Sequence, residues 1–359
     1  MSDLENFAWR QEALRAIRWS LGREALDRPP ADDVLETLRL KRIDAPFHYA
    51  WEGESVALAV YRNAWDLQRA AIERIGSAFS SAGLRPILFK GAPLIQSHNG
   101  GRPLGLLADI HIIVPRQSLV DAMAVLYSNG LKPGKLNKET GRLDPADIES
   151  IALMEAGHYQ LPPFRAVRPA QLAVDELRWI GEQDATPLHA FGGDGLFVLE
   201  IDVHHRTASD VDLEPFLDRL IESPFADYAA LAPADHLWTL MVRYYNEVAL
   251  HGKTTLRELI YCGLLIGAGG VEWRHVIAAC DEYRTHPACY YLLRFFHSLA
   301  PDLVPGDVVD TLRVGLRSCL RDFGWQLGKL FDFVEAMPLD LAATRWREDA
   351  RVASAPCPD

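Results

Sequence analysis

The chain has 359 residues, 49% apolar and 24% charged, with a formal net charge of −12. That length holds two domains, or one domain with helical additions, and the composition builds a sizeable core without disulfide or metal staples. The acid excess argues against a general binder of nucleic acid or anionic membrane, because phosphate contacts need clustered Lys and Arg.

The five cysteines include no C-x-x-C pair and read as reduced, mostly buried thiols of a cytoplasmic protein. "MSDLENFAWRQEAL" lacks the basic start and apolar block of a signal peptide. No apolar run approaches the roughly 18 residues of a membrane helix.

In chain order, Phe7, Leu14, Ile17 and Leu21 recur at helical spacing, which predicts a helix over 4–28. "RPPADDVLETLRL" restarts a helix with Asp32 and Asp33 at its positive end. A long helix is predicted from about Ser55 to Ala82. "RPILF" follows as a buried strand, "APLIQSHNG" as a helix, "LLADIHIIV" as a second strand and "RQSLVDAMAVLYSNG" as an amphipathic helix ending at Asn129-Gly130. Residues 131–150 read as a polar loop with a short helix at "DPADIESI". "HYQLPPFRAVR" reads as a strand, "AQLAVDELRW" as strand or helix, "DATPLHAFGGDG" as a loop and "LFVLEIDVHHR" as a strong strand. Helical periodicity returns over 211–345, and the last dozen residues read as a frayed tail.

Asp109 and His111 stand two apart in a strand-like run, so both face one way. Asp202 and His204 repeat that arrangement, with Glu200 on the same face. Buried charge in an apolar strand is costly unless it is paired or binds metal. If the two strands are neighbours, Asp109, His111, Asp202 and His204 converge on one ion. Lys90 and Gly91 close the first strand directly before a helix, whose free N–H groups and Lys charge suit a phosphate. Arg102 could reach the same phosphate or serve only its loop. His158 is a weaker candidate near the site. His205 points to the opposite face, and His189, His236 and His251 read as structural histidines. No Walker loop, dinucleotide fingerprint, serine nucleophile elbow or Cys/His zinc spacing occurs.

"FKGAPL", Arg102, "DIHIIV" and "LEIDVHHR", in that order, resemble a family of uncharacterised nucleotidyltransferases, a branch of the polymerase-beta-like nucleotidyltransferase superfamily. The resemblance is good over about 84–205 and looser in the helical flanks. It implies an α+β fold, with a nucleotidyltransferase-like mixed sheet core over 83–210. An N-terminal helical region (1–82), a C-terminal helical domain (211–345) and a flexible tail (346–359) complete the expected organisation. It also implies that Asp109, position 111 and Asp202 hold divalent metal, Mg²⁺ or Mn²⁺, and that Lys90 and Gly91 hold the triphosphate. The pattern usually has Asp at position 111, where this chain has His111, and imidazole suits transition metals better than Mg²⁺.

The expectation is a metal-dependent transferase moving a nucleoside monophosphate from an NTP to a hydroxyl of a small molecule, peptide or protein. The acceptor is expected between the core and the C-terminal helices, and a long RNA is the least favoured acceptor. The alternatives are a nucleotide-binding or scaffold protein with a degenerate site, and a metal-dependent hydrolase at the Asp/His cluster.

Overall fold

The computed structural model describes residues 3–50, 55–183, 185–206, 211, 214–319, 322–324 and 327. The expected tail over 346–359 lies outside the described residues. The chain divides into two compact units, 52–232 and the combination of 1–51 with 233–359.

The second unit is helical. Its elements are α1 (Asp3–Ser20), α2 (Asp32–Leu40), α3 (Ala45–Ala50), α10 (Pro233–His251), α11 (Arg257–Ala268), α12 (Trp273–Tyr283), α13 (His286–Leu299) and α14 (Gly306–Gly315). The predicted first helix stops at Ser20, because Gly22 turns into the left-handed region at φ +69°. Helix α10 packs against α11, α12 and α13 around the buried Trp238 and Tyr244. Cys262, Cys280 and Cys289 are free thiols buried in this core, as small apolar residues.

The 52–232 unit begins with α4 (Val56–Ser81), the long helix the sequence predicts. Its N-terminus is capped by the Ser55 hydroxyl, which accepts from Leu58 N at 3.1 Å. After it come β1 (Ile87–Phe89), α5 (Gly91–His98), β2 (Ile110–Ile113), α6 (Leu119–Ser128), β3 (Lys132–Asn137), β4 (Arg142–Pro145) and α7 (Ile148–Gly157). Then follow β5 (Phe164–Ala170), α8 (Val174–Glu182), β6 (Leu188–Phe191), β7 (Asp194–His204), α9 (Glu214–Leu217), β8 (Ile221–Glu222) and β9 (Ala229–Ala230). The nine strands form one mixed sheet in the order β4-β3-β5-β7-β2-β1-β9-β8, with β6 also paired to β7. Strand β2 runs parallel to β7, and β1 antiparallel to β2. The α+β class expected from the sequence is the fold observed.

Three local expectations are corrected. Residues 131–145, expected as polar loop, form the β3–β4 hairpin. Its turn is closed by Asn137 Oδ1, which accepts from the Glu139 and Thr140 N–H groups at 3.0 and 3.1 Å. "DATPLHAFGGDG" contains β6 and the start of β7. Gly192 and Gly193, at φ +59° and +91°, make the two-residue turn that a hairpin of this twist requires. Beyond residue 211, within a stretch expected to be helical, the short strands β8 and β9 extend the sheet. The ambiguous "AQLAVDELRW" is helix α8 from Val174 on, anchored where Glu176 accepts from Ala173 N and from Asn63 Nδ2 of α4, both at 2.7 Å.

Helix α4 also sets the approach to β2. Buried Gln68 donates from Nε2 to Leu107 O at 2.8 Å, holding the segment that delivers Asp109. A buried amide with its bond made stabilises that position, whereas losing the partner would cost about 1–3 kcal/mol.

Candidate metal and phosphate site

The register of three neighbouring strands builds the site. Phe89 of β1 lies opposite His111 of β2, and His111 lies opposite Asp202 of β7. His204, two residues further along β7, shares the face of Asp202. Asp109 sits just before β2 and Lys90 just after β1. Parallel pairing of β2 with β7 sets "DIH" of residues 109–111 beside "EID" of residues 200–202, so that His111 gathers with Asp202 and His204, and Asp109 with Glu200 and Asp202.

His111 is the hub. Its Nε2 lies 3.0 Å from Lys90 Nζ and 3.1 Å from Asp109 Oδ1. Its Nδ1 lies 3.0 Å from His204 Nε2 and 3.7 Å from Asp202 Oδ2. His111, Asp202 and His204 are 4%, 7% and 0% exposed, so these contacts form in a low dielectric where polar groups interact strongly. The Phe89 ring walls both imidazoles, at centroid distances of 5.5 Å to His111 and 5.2 Å to His204.

Among the described residues, two groups of donor atoms, each within 4.8 Å of one another, share Asp202. One is His111, Asp202 and His204. The other is Asp109, Glu200 and Asp202, an all-oxygen set of the kind that Mg²⁺ and Mn²⁺ take. Burial pushes the Glu200 carboxyl above its ordinary value, against the Arg165 guanidinium, and the Asp109 charge adds to the rise. Arg165 of β5 lies opposite Glu200 and donates to it from Nε at 2.5 Å.

Lys90 is half-buried at the N-terminus of α5, at φ +65° and ψ −135°. This conformation is strained for a residue with a side chain, and such strain concentrates at functional positions. Gly91, the first residue of α5, is buried. Arg102 is exposed in the turn after α5, where its N–H donates to Asn99 O at 3.0 Å and its carbonyl accepts from Asn99 Nδ2 at 2.6 Å.

Sequence reasoning missed Arg165 and Tyr159. The Tyr159 ring stacks on His204 at 5.6 Å, and His158 stacks on Tyr159 at 4.3 Å. The segment carrying them runs beside β7, with Leu161 N donating to Val203 O and His205 N to Tyr159 O. "HYQLPPFRAVR" reads as a strand and His158 as a candidate near the site, but the single Gln160–His204 bridge that brings Tyr159 to His204 leaves no local signal. Arg165 follows from strand register alone, which is invisible until β5 is placed next to β7.

Among the described residues, no helix is long and apolar enough to cross a membrane. No curated protein and no solved structure matches the chain. The model of the family described as uncharacterised nucleotidyltransferase matches residues 32–301, about three quarters of the chain, and takes in every residue of this cluster. The protein therefore belongs to the uncharacterised nucleotidyltransferase family.

Proposed function

We propose that this protein moves a nucleoside monophosphate from a nucleoside triphosphate to a hydroxyl acceptor, with divalent metal held at Asp109, Glu200 and Asp202. The observation that carries the reading is the convergence of three carboxylates beside Lys90 and the N-terminus of α5. Burial raises the Glu200 carboxyl and the Asp109 charge adds to the rise, and a divalent cation among the three carboxylates would offset both. The donor set therefore fits the metal that family membership implies. A bound divalent ion there supplies a Lewis acid for the phosphate oxygens and charge for the departing pyrophosphate.

The chain's own residues orient the donor. Lys90 offers a full positive charge, and the first N–H groups of α5 offer partial charge to phosphate oxygens. Pro93 costs nothing there, since a first-turn N–H has no helical partner. The Phe89 and Tyr159 rings exclude water from the imidazole side of the cluster. A carboxylate of the group accepts the acceptor's proton as its oxygen closes on phosphorus. With a net charge of −12, the protein favours a small-molecule, peptide or protein hydroxyl over a long RNA.

The test is calorimetric titration of ATP, GTP, CTP and UTP with Mg²⁺ or Mn²⁺, against wild type and Asp109→Ala/Asp202→Ala. Metal-dependent binding of one triphosphate, lost in the double variant, is the expected result. Absence of binding in every combination overturns the reading. His111, standing where the family resemblance has Asp, favours one second reading: a nucleotide-binding protein that does not transfer. Triphosphate binding without pyrophosphate release across a panel of hydroxyl acceptors would select it.

A further inference from the structure

His111 faces two demands that one neutral ring cannot meet together. Lys90 Nζ, 3.0 Å from Nε2, only donates, so that contact needs a lone pair on Nε2. Asp109 Oδ1, 3.1 Å from the same Nε2, only accepts, so that contact needs a proton there. Each choice fixes the other side of the ring. With the proton on Nδ1, His111 accepts from Lys90 and donates to His204 Nε2 at 3.0 Å. With the proton on Nε2, His111 donates to Asp109, and its Nδ1 lone pair then faces His204 Nε2 and Asp202 Oδ2; His204 either donates to it from Nε2 or, when its own proton is on Nδ1, presents a second imidazole lone pair.

In that second state the two imidazole lone pairs and the Asp202 carboxylate, whose atoms lie within 4.8 Å of one another, are stabilised together by a cation. Ligands about 2.0–2.1 Å from a tetrahedral ion lie about 3.3 Å from one another. The Nδ1–Nε2 and Nδ1–Oδ2 separations of 3.0 and 3.7 Å bracket that value. Two imidazoles and one carboxylate form a set that suits Zn²⁺, Co²⁺ or Mn²⁺ over Mg²⁺. Asp109 would then hold the far nitrogen of a ligating histidine, which orients the ring and raises its basicity.

We propose that His111, His204 and Asp202 bind a transition-metal ion, and that its uptake moves the His111 proton from Nδ1 to Nε2 and releases Lys90 from the imidazole toward the triphosphate. His111 stays neutral in both states and Lys90 keeps its charge, so the switch changes no net protonation. The metal half stands on the cluster alone, while the Lys90 half rests on the proposed nucleotide reading.

The first experiment is a visible-absorption titration of the full chain with Co²⁺. Wild type is expected to develop the intense d–d bands of a low-coordinate, imidazole-ligated ion, which Zn²⁺ displaces and excess Mg²⁺ does not. His204→Asn should lose them, and Asp109→Asn should weaken Co²⁺ affinity by about 10–100-fold. Because His204 is fully buried and its variant could misfold, nitrogen NMR of labelled histidines in wild type supplies a second readout. Zn²⁺ should move the protonated nitrogen of His111 from Nδ1 to Nε2. Absence of the bands, or an unchanged tautomer, overturns the proposal.

The linked measurement is the Kd of a non-hydrolysable triphosphate at saturating Mg²⁺, with and without Zn²⁺. It should fall by about tenfold in wild type and stay constant in Lys90→Ala. Cobalt bands with no triphosphate binding under any condition would leave the metal half standing and sink both the Lys90 half and the transfer reading. Triphosphate binding with Mg²⁺ but no cobalt bands would sink this proposal and leave the transfer reading standing.

Discussion

Lys90 combines a strained backbone with a charge aimed into the cluster, and the two contributions separate experimentally. Lys90→Ala and Lys90→Gly both delete the ammonium, but only Gly adopts φ +65° with ψ −135° without strain. Lys90→Gly should therefore be about 1–3 kcal/mol more stable than Lys90→Ala in urea unfolding, while both lose triphosphate affinity equally. Equal stabilities would mean that the backbone there relaxes freely. His111→Asp restores the carboxylate of the family pattern. It should favour Mg²⁺ over Co²⁺ by about tenfold relative to wild type, because an oxygen ligand replaces a nitrogen ligand. In chelator it should also melt below wild type, since a fourth acidic group then crowds Asp109, Glu200 and Asp202, and Mg²⁺ should recover the loss. A melting temperature indifferent to Mg²⁺ would refute this. At this scale the sequence was informative, because the strand period places Asp109 with His111 and Asp202 with His204. The direct contact of Lys90 with His111, and the stacking of Tyr159, depend on atoms from distant segments.

At the scale of elements, close approach is set by glycines that pattern analysis ignores. A Cβ on Gly76 of α4 would stand 2.6 Å from the Tyr228 ring, whose hydroxyl donates to Ile72 O at 3.1 Å. A Cβ on Gly267 of α11 would meet Ser20 O at 2.8 Å, at the end of α1. Side chains can shift and backbone cannot, so Gly267→Ala should destabilise by about 1–3 kcal/mol or more, and more than Gly76→Ala. Chemical unfolding with a probe in each unit checks the order, and a milder Gly267→Ala would show that α1 and α11 can separate. The missed hairpins share a cause. β3–β4 depends on Asn137 bonding its own turn, and β6–β7 on Gly192-Gly193, local signals in stretches with little apolar alternation. The strands at the centre of the sheet were legible because burial on both faces demands continuous apolar runs.

For the whole molecule, charge and burial set the response to solution conditions. The net charge of −12 predicts no retention of long single-stranded RNA at physiological salt, measured by filter binding. Salt-sensitive, submicromolar retention would reveal a basic surface that the composition hides. In the helical unit, Asp322 accepts from Tyr291 Oη at 2.8 Å and from Gly324 N at 2.7 Å. Burial nevertheless raises its carboxyl above the ordinary value of 3.8, against the pull of those donors. A raised folded value means that the folded state binds the proton more tightly. Its favourable contribution is complete below about 3.8 and is lost as pH climbs through the raised value. Asp322→Asn lacks that loss, so its stability relative to wild type should rise with pH across this window and then level off. A difference that stays flat with pH would show that the carboxyl titrates normally.

By itself the sequence determined the fold class, the apolar strands at the centre of the sheet and the residue types of the cluster. Each of these follows from local periodicity, from the cost of burying charge, or from motif order. Only the tertiary structure decided that β2 and β7 are parallel neighbours in the register that sets His111 beside Asp202. It also decided that Arg165 answers Glu200 and that Tyr159 covers His204. Those choices rest on side-chain volumes and hydrogen bonds between segments dozens of residues apart, which no local period records.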